Sequence, residues 1–249
     1  MRPLKVLFYG PPGVGKTTLA ATSIFVPEYR PVLMFSFENS ITPIHEICRD
    51  ITDWQKTSID PEKVNIINIS NWKQMLDLWE TNEGKEYLRQ FKCFIFDSMT
   101  NANERVVNYM VNREGLTPSK IASPEFKHWN ASFNIMKDLV WALQEDYNAS
   151  YILICHPKES ESDVRKYPSF QGDKLGYIIT GIVDHVGFMD VDTQGKVTIN
   201  FANSLKAFAK KRKASSFDLS TGTLSVDANP VSLSGIITVP QICEALNLA

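Results

Sequence analysis

The sequence predicts an α/β protein with a mostly parallel central sheet, helices on both faces of that sheet, and an antiparallel β extension toward the C-terminus. Short apolar runs alternate with stretches of helical periodicity between residues 4 and 155. Strands that are separated by helices usually pair in parallel, with helices covering both faces of the sheet. Beyond about residue 184 the apolar runs follow one another closely, which is typical of antiparallel strands.

The parallel strands are predicted from short apolar runs that polar or turn-forming residues bound. These runs lie at residues 4–9, 32–37, 64–69, 94–96 and 151–155. Runs of this kind are typical of strands that are buried in the centre of a sheet. We therefore expect five parallel strands.

Helices are predicted between these strands from capping residues and apolar spacing. Asn71 is the predicted cap of a helix whose apolar residues share one face, and Ser123 is predicted to open a long helix. A further helix is expected near residues 43–51. The pattern Thr238-x-x-Gln241 predicts a capping box for a short final helix.

The late part of the chain is predicted to be antiparallel. Its apolar runs lie at residues 186–191, 197–201 and 205–209, with a Thr-Gln-Gly turn between the first two. Closely spaced strands that short turns join usually pair antiparallel. A chain of this length can bury one large core. We expect a core domain at residues 1–215 and a C-terminal extension at residues 216–249, packed on or beside it.

The composition limits the classes of function. The chain has 249 residues with 26 Lys and Arg against 28 Asp and Glu, which gives a net charge of −2. No global basic field therefore attracts nucleic acid, and such binding requires a local patch. The four cysteines form no CxxC pair, and Cys93 and Cys155, which lie in or at the end of apolar runs, are expected to be packed thiols. Since no apolar run could cross a bilayer and the first strand begins close to residue 1, we expect a cytoplasmic protein without membrane contact.

A phosphate-binding loop is the most specific motif in the sequence. Residues 10–17 have the spacing G-x-x-x-x-G-K-T and lie between the first predicted strand and a helix. The backbone N–H groups of such a loop surround phosphates, Lys16 can reach the β- and γ-phosphates, and the Thr17 hydroxyl can ligate Mg²⁺. The predicted nucleotide-binding residues are Gly10, Pro11, Pro12, Gly13, Val14, Gly15, Lys16, Thr17 and Thr18.

Asp97, at the end of the fourth predicted strand, is the second element of the predicted site. A carboxylate at this place downstream of a phosphate loop usually holds Mg²⁺, directly or through water. We therefore predict Thr17 and Asp97 as the metal ligands. The next residue, Ser98, can either hydrogen-bond near the γ-phosphate or cap the following helix.

Glu38 and His156 also directly follow predicted strands. In an open parallel sheet, ligands bind beyond the carboxyl ends of the strands, so Glu38, Asp97 and His156 should all face the phosphates. Glu38 can then polarise the water that attacks the γ-phosphate, and His156 can hydrogen-bond to that phosphate. The alternatives are a solvated carboxylate at a strand end and an ordinary loop histidine.

A basic cluster follows the last of the late apolar runs, and it consists of Lys210, Lys211, Arg212 and Lys213. Such a run is either a solvated, exposed segment or a clamp for phosphate. The residues alone leave both interpretations open.

The order of these elements resembles that in the RecA and helicase division of P-loop ATPases. The resemblance covers residues 4–215 and follows the phosphate loop, Glu38, Asp97, His156 and the Lys-x-Arg segment at residues 210–212. It implies a RecA-like P-loop NTPase fold, an ATPase activity, and ATP and Mg²⁺ as cofactors.

The same resemblance implies a role for each predicted catalytic residue. Lys16 contacts phosphate, Glu38 serves as the catalytic base, and His156 senses the γ-phosphate, although RecA-type proteins often carry an amide at its place. Lys210 and Arg212 correspond to fingers that reach the nucleotide of a neighbouring subunit.

A narrower resemblance is to small phage RecA-like ATPases of the AAA type, including the Sak-type single-strand annealing proteins. It is carried by the Phe-Asp-Ser-Met-Thr stretch at residues 96–100 and by Ile-Val-Asp-His-Val at residues 182–186. It implies action on single-stranded DNA in recombination or strand annealing, in the cytoplasm of a host cell. The implied partners are further copies of the chain, in a ring or filament, single-stranded DNA, and a single-strand-binding protein.

DNA contact is expected on two loops, at residues 101–124, which include Arg105, and at residues 157–176, which mix basic and aromatic side chains. A surface loop without this role is the alternative. Two other functions fit the phosphate loop. One is a nucleotide-dependent assembly or helicase-loading factor without DNA affinity. The other is a P-loop kinase for a small molecule, which is disfavoured because the loop after His156 holds only Arg165 for a lid.

Overall fold

The computed structural model describes residues 2–38, 64–113, 124–145, 147–159, 165–170, 173–211, 215–218, 223–226, 232–234 and 237–248. The strands within these segments are β1 (Lys5–Tyr9), β2 (Val32–Ser36), β3 (Val64–Asn68), β4 (Cys93–Asp97), β5 (Ser150–Cys155), β6 (Pro157–Glu159), β7 (Lys166–Pro168), β8 (His185–Val191), β9 (Val197–Asn200), β10 (Lys210–Lys211), β11 (Ser215–Asp218), β12 (Thr223–Val226) and β13 (Ser232–Ser234). The α-helices are α1 (Lys16–Ala21), α2 (Trp72–Glu80), α3 (Asn82–Leu88), α4 (Met99–Arg113), α5 (Phe126–Glu145), α6 (Asp173–Ile182) and α7 (Val239–Ala245).

A central sheet of 9 strands has the order β13-β9-β8-β1-β5-β4-β2-β3, with β10 beside β8. All neighbours from β8 to β3 pair in parallel. This pairing confirms the mostly parallel sheet and the five strands expected within it. Because β5 lies between β1 and β4, the phosphate loop and Asp97 follow strands that are two positions apart in the sheet.

The parallel strands β1, β2, β4 and β5 are buried on both faces, whereas β3, at the edge of the sheet, is partly exposed. Successive side chains of a strand point to opposite faces, so Leu7 and Tyr9 of β1 join one apolar core while Val6 and Phe8 join the other. The first core contains apolar residues of α2, α4, α5 and α6, and the second contains those of α1 and α7. Burial on both sides explains why these strands are continuous apolar runs in the sequence.

The antiparallel extension lies at the β8 end of the sheet. Strand β9 pairs antiparallel with β8, as the sequence predicts. Two strands that were not predicted also pair antiparallel, β13 with β9 and β10 with β8. The strand expected at residues 205–209 is wrong, because a local turn occupies this segment. In it Ser204 N donates to the carbonyl oxygen of Ala207 at 3.1 Å, and Ala207 N donates to Ser204 Oγ at 3.2 Å.

Helix α4 occupies most of the first loop that was expected to contact DNA. It starts directly after β4, where the carbonyl oxygen of Ser98 accepts from Ala102 N at 2.9 Å and Ser98 Oγ accepts from Asn101 N at 3.3 Å. Its buried face is apolar except for Asn103, and its exposed face is rich in Asn, Glu and Arg. This polarity hides the helical period in the sequence. Helix α3 was not expected, and α6 begins inside the second expected loop.

The helices with clear caps agree with their prediction. Asn71 Oδ1 accepts from Gln74 N at 3.3 Å at the start of α2, and Thr238 N donates to Gln241 Oε1 at 2.8 Å before α7. Some predicted features lie outside the described residues, namely the cap Ser123, the helix expected at residues 43–51, and the basic residues Arg212 and Lys213.

The C-terminal part of the chain contributes to the second core through α7. Val239 and Ile242 of this helix are buried there, and Arg2 N donates to the carbonyl oxygen of Leu248 at 2.9 Å. The boundary at residue 215 stays a prediction. Within the described segments, no helix combines the length and the apolar character that spanning a bilayer requires.

Candidate nucleotide-binding site

The phosphate loop connects the carboxyl end of β1 to α1. Gly15 has a φ of 90°, a left-handed conformation that glycine adopts without strain. A Cβ at Gly10 would collide with the carbonyl oxygen of Met189 in β8. The path of the backbone therefore requires glycine at both positions.

Lys16, the first residue of α1, turns its side chain back over the loop. Its Nζ donates to the carbonyl oxygens of Gly10 and Pro11, both at 2.8 Å, and the residue is only 7% exposed. Burial lowers the pKa of Lys16, and the carboxylates of Asp97 and Glu38 oppose this shift. A phosphate that enters the loop can replace the two carbonyls as the partner of this ammonium group.

Thr17 and Asp97, the predicted metal ligands, contact each other directly. The Thr17 hydroxyl donates to Asp97 Oδ2 at 2.6 Å. Burial raises the pKa of Asp97 to about 6; the hydrogen bond from Thr17 opposes this shift, and the charge of Glu38 adds to it. A hydroxyl and a carboxylate are hard oxygen ligands of the kind that Mg²⁺ prefers. The residues present therefore fit the ion, which would supply positive charge beside the phosphates.

Glu38 and His156 form a second polar pair at the same edge of the sheet. His156 Nε2 lies 3.1 Å from Glu38 Oε1, and the two side chains are each 32% exposed. Glu38 follows β2 and His156 follows β5, while β4, which ends at Asp97, lies between these strands. All the predicted residues from the phosphate loop to His156 therefore lie at the carboxyl ends of four neighbouring strands.

A polar cleft of about 380 Å³ borders the Glu38–His156 pair. The rest of its lining comes from the end of β2 and from α4, and consists of Phe37, Asn101, Glu104, Arg105 and Asn108. Positions 101, 104, 105 and 108 share one face of the helix because they are three or four residues apart. The cleft gives water access to the pair.

Arg105 of α4 has a different place from the one expected. Its guanidinium donates to the carbonyl oxygen of Phe37 at 2.8 Å and to that of Ser70 at 2.6 Å. These contacts join α4 to the ends of β2 and β3. The sequence carries no signal for this role, because both partners are backbone carbonyls that any residue could supply.

Thr100 is a second residue of α4 that sequence reasoning missed as part of the site. Its hydroxyl accepts a hydrogen bond from His156 N at 3.1 Å and donates one to the carbonyl oxygen of Ser169 at 2.9 Å. The signal that could have found it is its position, three residues after the strand-end carboxylate Asp97.

Lys210 lies away from the phosphate loop, at the C-terminal end of α6. Its Nζ donates to the carbonyl oxygens of Thr180, Gly181 and Val183 at 3.0, 2.9 and 2.8 Å. Thr180 and Gly181 lie in the last turn of α6 and Val183 directly follows it, a place where a cation is favourable. The contacts are within the chain, and a contact of Lys210 or Arg212 with a neighbouring nucleotide stays a prediction.

The strand–loop–helix unit, the Thr17–Asp97 contact and the parallel sheet define a P-loop ATPase with a RecA-like fold. The chain belongs to the family of AAA domains, AAA_24, whose family model matches residues 2–213. Among solved structures it is similar to one described as the RadB recombinase, with 16% sequence identity, 80% of each chain covered and a TM-score of 0.52. No curated protein sequence matches the chain. The family and the fold confirm the RecA-like ATPase that the sequence resemblance implies.

Proposed function

We propose that the protein is a Mg²⁺-dependent ATPase that acts on single-stranded DNA in phage-type recombination or strand annealing. The observation that carries the proposal is the gathering of Lys16, Thr17, Glu38, Asp97 and His156 at one edge of the sheet. These residues supply a phosphate ligand, a metal site and a base. The recombinase to which the fold is similar supports the choice of DNA as the second ligand.

Each residue has a distinct role in the proposed reaction. The phosphate loop and Lys16 bind the β- and γ-phosphates, and Thr17 and Asp97 hold the Mg²⁺ ion. Glu38 polarises the attacking water and accepts its proton. His156 orients the Glu38 carboxylate through the 3.1 Å contact and detects the γ-phosphate beside it.

The β6–β7 hairpin is the proposed contact for DNA. It follows His156 directly and carries the half-buried side chains of Lys158, Arg165 and Tyr167, with the Arg165 guanidinium 5.8 Å from the centre of the Tyr167 ring. Basic groups that follow the phosphate backbone, together with aromatic rings on which bases stack, are the usual means of binding single strands. We assign the hairpin this role.

The assembly is proposed to be a ring or filament in the cytoplasm of a host cell. Lys210 and Arg212 would supply positive charge to the nucleotide of an adjacent protomer, as the family resemblance implies. A single-strand-binding protein is the expected partner on the DNA.

The rate of ATP hydrolysis with and without single-stranded DNA tests this proposal. We expect hydrolysis that requires Mg²⁺ and rises when DNA is added. Hydrolysis that is the same with and without DNA, combined with no DNA binding, would identify a nucleotide-dependent assembly factor. Transfer of the γ-phosphate to a small acceptor would identify a kinase.

A further inference from the structure

We propose that Thr100 is a positioning residue for His156, and that its hydroxyl couples the β6–β7 hairpin to the Glu38–His156 pair. The inference deepens the proposed function, because it describes how a ligand on the hairpin alters the catalytic pair. The expected effect of Thr100 on ATP hydrolysis rests on the proposed function, whereas the hydrogen bonding of Thr100 to His156 does not.

Three hydrogen bonds join Thr100, His156 and Ser169 in a closed ring. Thr100 Oγ1 accepts from His156 N at 3.1 Å and donates to the Ser169 carbonyl oxygen at 2.9 Å, while Ser169 N donates to the His156 carbonyl oxygen at 2.7 Å. A hydroxyl can be donor and acceptor at the same time, which neither a methyl group nor an ammonium group can do. The ring therefore depends on a hydroxyl at position 100.

This ring lies at the base of the hairpin. The last paired positions of β6 and β7 are Pro157 and Pro168, which are the immediate neighbours of His156 and Ser169. On the other side of the base, Phe170 is 3% exposed and packs in the first core. The base of the hairpin is therefore fixed to the core and to α4, and displacement of the hairpin changes the geometry at Thr100.

Helix α4 holds the other member of the pair as well. Arg105 donates to the carbonyl oxygen of Phe37, the residue directly before Glu38, at 2.8 Å. Thr100 and Arg105 are five positions apart on one rigid helix. Through these two contacts, α4 sets the separation of Glu38 and His156. The helix begins directly after β4, the strand that ends at the predicted metal ligand Asp97.

Amide hydrogen exchange of the nucleotide-free protein tests the structural part. The variant Thr100→Val keeps the shape of the side chain and removes the hydroxyl, and Thr100→Ser keeps the hydroxyl. Loss of one buried hydrogen bond should speed exchange of the His156 amide about tenfold in Thr100→Val. Thr100→Ser should resemble the wild type, and the Leu153 amide of β5 should be unchanged in both variants. Equal protection of His156 in all three proteins, or equal loss at Leu153, would overturn the inference.

A double-mutant cycle tests the catalytic part. We expect Thr100→Val to lower kcat about tenfold through misplacement of His156, with an unchanged KM for ATP and recovery in Thr100→Ser. In a His156→Ala background, Thr100→Val should have no further effect, because the group it positions is gone. The same loss in both backgrounds would show that Thr100 does not act through His156. A wild-type protein without ATP hydrolysis would contradict the proposed function instead, and the exchange experiment would then decide the inference alone.

Discussion

At the scale of single residues, the site depends on short polar contacts between groups that are far apart in the chain. Thr17 and Asp97 are 80 positions apart, and Glu38 and His156 are 118 positions apart. The sequence predicts which strand ends carry these groups, because ligands bind at the carboxyl ends of parallel strands. It does not predict that Glu38 contacts His156, since this pairing depends on the order of β2, β4 and β5 in the sheet.

Replacement of Lys16 by alanine should abolish ATP hydrolysis. The ammonium group already lies over the loop in contact with Gly10 and Pro11, so its removal leaves no cation there to contact the phosphates. Loss of such transition-state charge stabilisation costs about 10²-fold or more in rate. The control is Lys73→Ala, which removes an exposed lysine that contacts Asp77. Wild-type turnover in a folded Lys16→Ala protein would show that the loop is not the catalytic site.

Replacement of Glu38 by glutamine should separate nucleotide binding from hydrolysis. The amide can still accept a hydrogen bond from His156 but cannot take a proton from water. We expect an unchanged Kd for ATP and a fall in kcat, measured by fluorescence titration and phosphate release. If kcat also stays unchanged, Glu38 is not the base, and a water held elsewhere in the site must be activated by another group.

The stability of the metal-free protein should depend on the ionisation of Asp97. Burial raises its pKa from an ordinary value of 3.8 to about 6, so between these values the native state keeps a proton that the unfolded chain has lost. The contribution of Asp97 to stability is therefore fully present below about pH 3.8 and is lost as the pH rises through about 6.

Urea unfolding in EDTA at pH 5 and pH 7 measures this effect. Asp97→Asn does not titrate, so the difference in the free energy of unfolding between wild type and variant isolates the carboxyl group. The free energy of unfolding of the wild type minus that of the variant should be about 1 kcal/mol smaller at pH 7 than at pH 5. A difference that stays constant or rises with pH would mean that the native carboxyl is not held in its neutral form.

At the scale of helices and strands, the accuracy of the sequence prediction follows the pattern of burial. Four of the five predicted parallel strands, β1, β2, β4 and β5, are buried on both faces and stand out as apolar runs. The fifth, β3, lies at the edge of the sheet with Asn65 and Asn68 exposed, and its Val and Ile residues still predict it. Helix α4 buries only one face and exposes Asn, Glu and Arg on the other, so the sequence pattern indicates a loop there and does not predict the helix. The residues that it contributes, Thr100 and Arg105, were missed as supports of the site for the same reason.

Lys210 should stabilise the fold by joining β10 to the end of α6. Its ammonium group binds three carbonyl oxygens in and directly after the last turn of this helix. Lys210→Ala should therefore lower the free energy of unfolding by about 1–2 kcal/mol. The matched control is Lys206→Ala, because Lys206 is exposed in the turn before β10. Equal stability of the two variants would show that the three contacts are not maintained in solution.

At the scale of the whole molecule, the topology of the sheet explains why so few elements form the site. One edge of the sheet collects the ends of β1, β2, β4 and β5, while the antiparallel strands β9, β10 and β13 lie beyond β8. The sequence predicts this division from the change in spacing near residue 184. Contacts between copies of the chain leave no such pattern, because a basic cluster has the same sequence whether it meets solvent or a neighbouring nucleotide.

The basic cluster should act between subunits if the protein assembles as the family resemblance implies. An Arg212→Ala subunit has an intact phosphate loop, and a Lys16→Ala subunit has an intact Arg212. Each variant alone should be inactive, since a finger that acts on a neighbour is worth about 10³-fold or more in related phosphoryl-transfer systems. A mixture of the two should recover part of the activity at the interfaces that combine one loop and one finger.

Two measurements test whether Arg212 acts on the nucleotide of a neighbouring subunit. The specific activity of the wild type should rise with protein concentration until assembly is complete, and light scattering should show that both variants enter mixed assemblies. If the mixture co-assembles and stays inactive, Arg212 does not act on a neighbouring nucleotide. The cluster would then contact the DNA backbone, and Arg212→Ala should reduce the salt dependence of DNA binding by about one charge while basal hydrolysis stays unchanged.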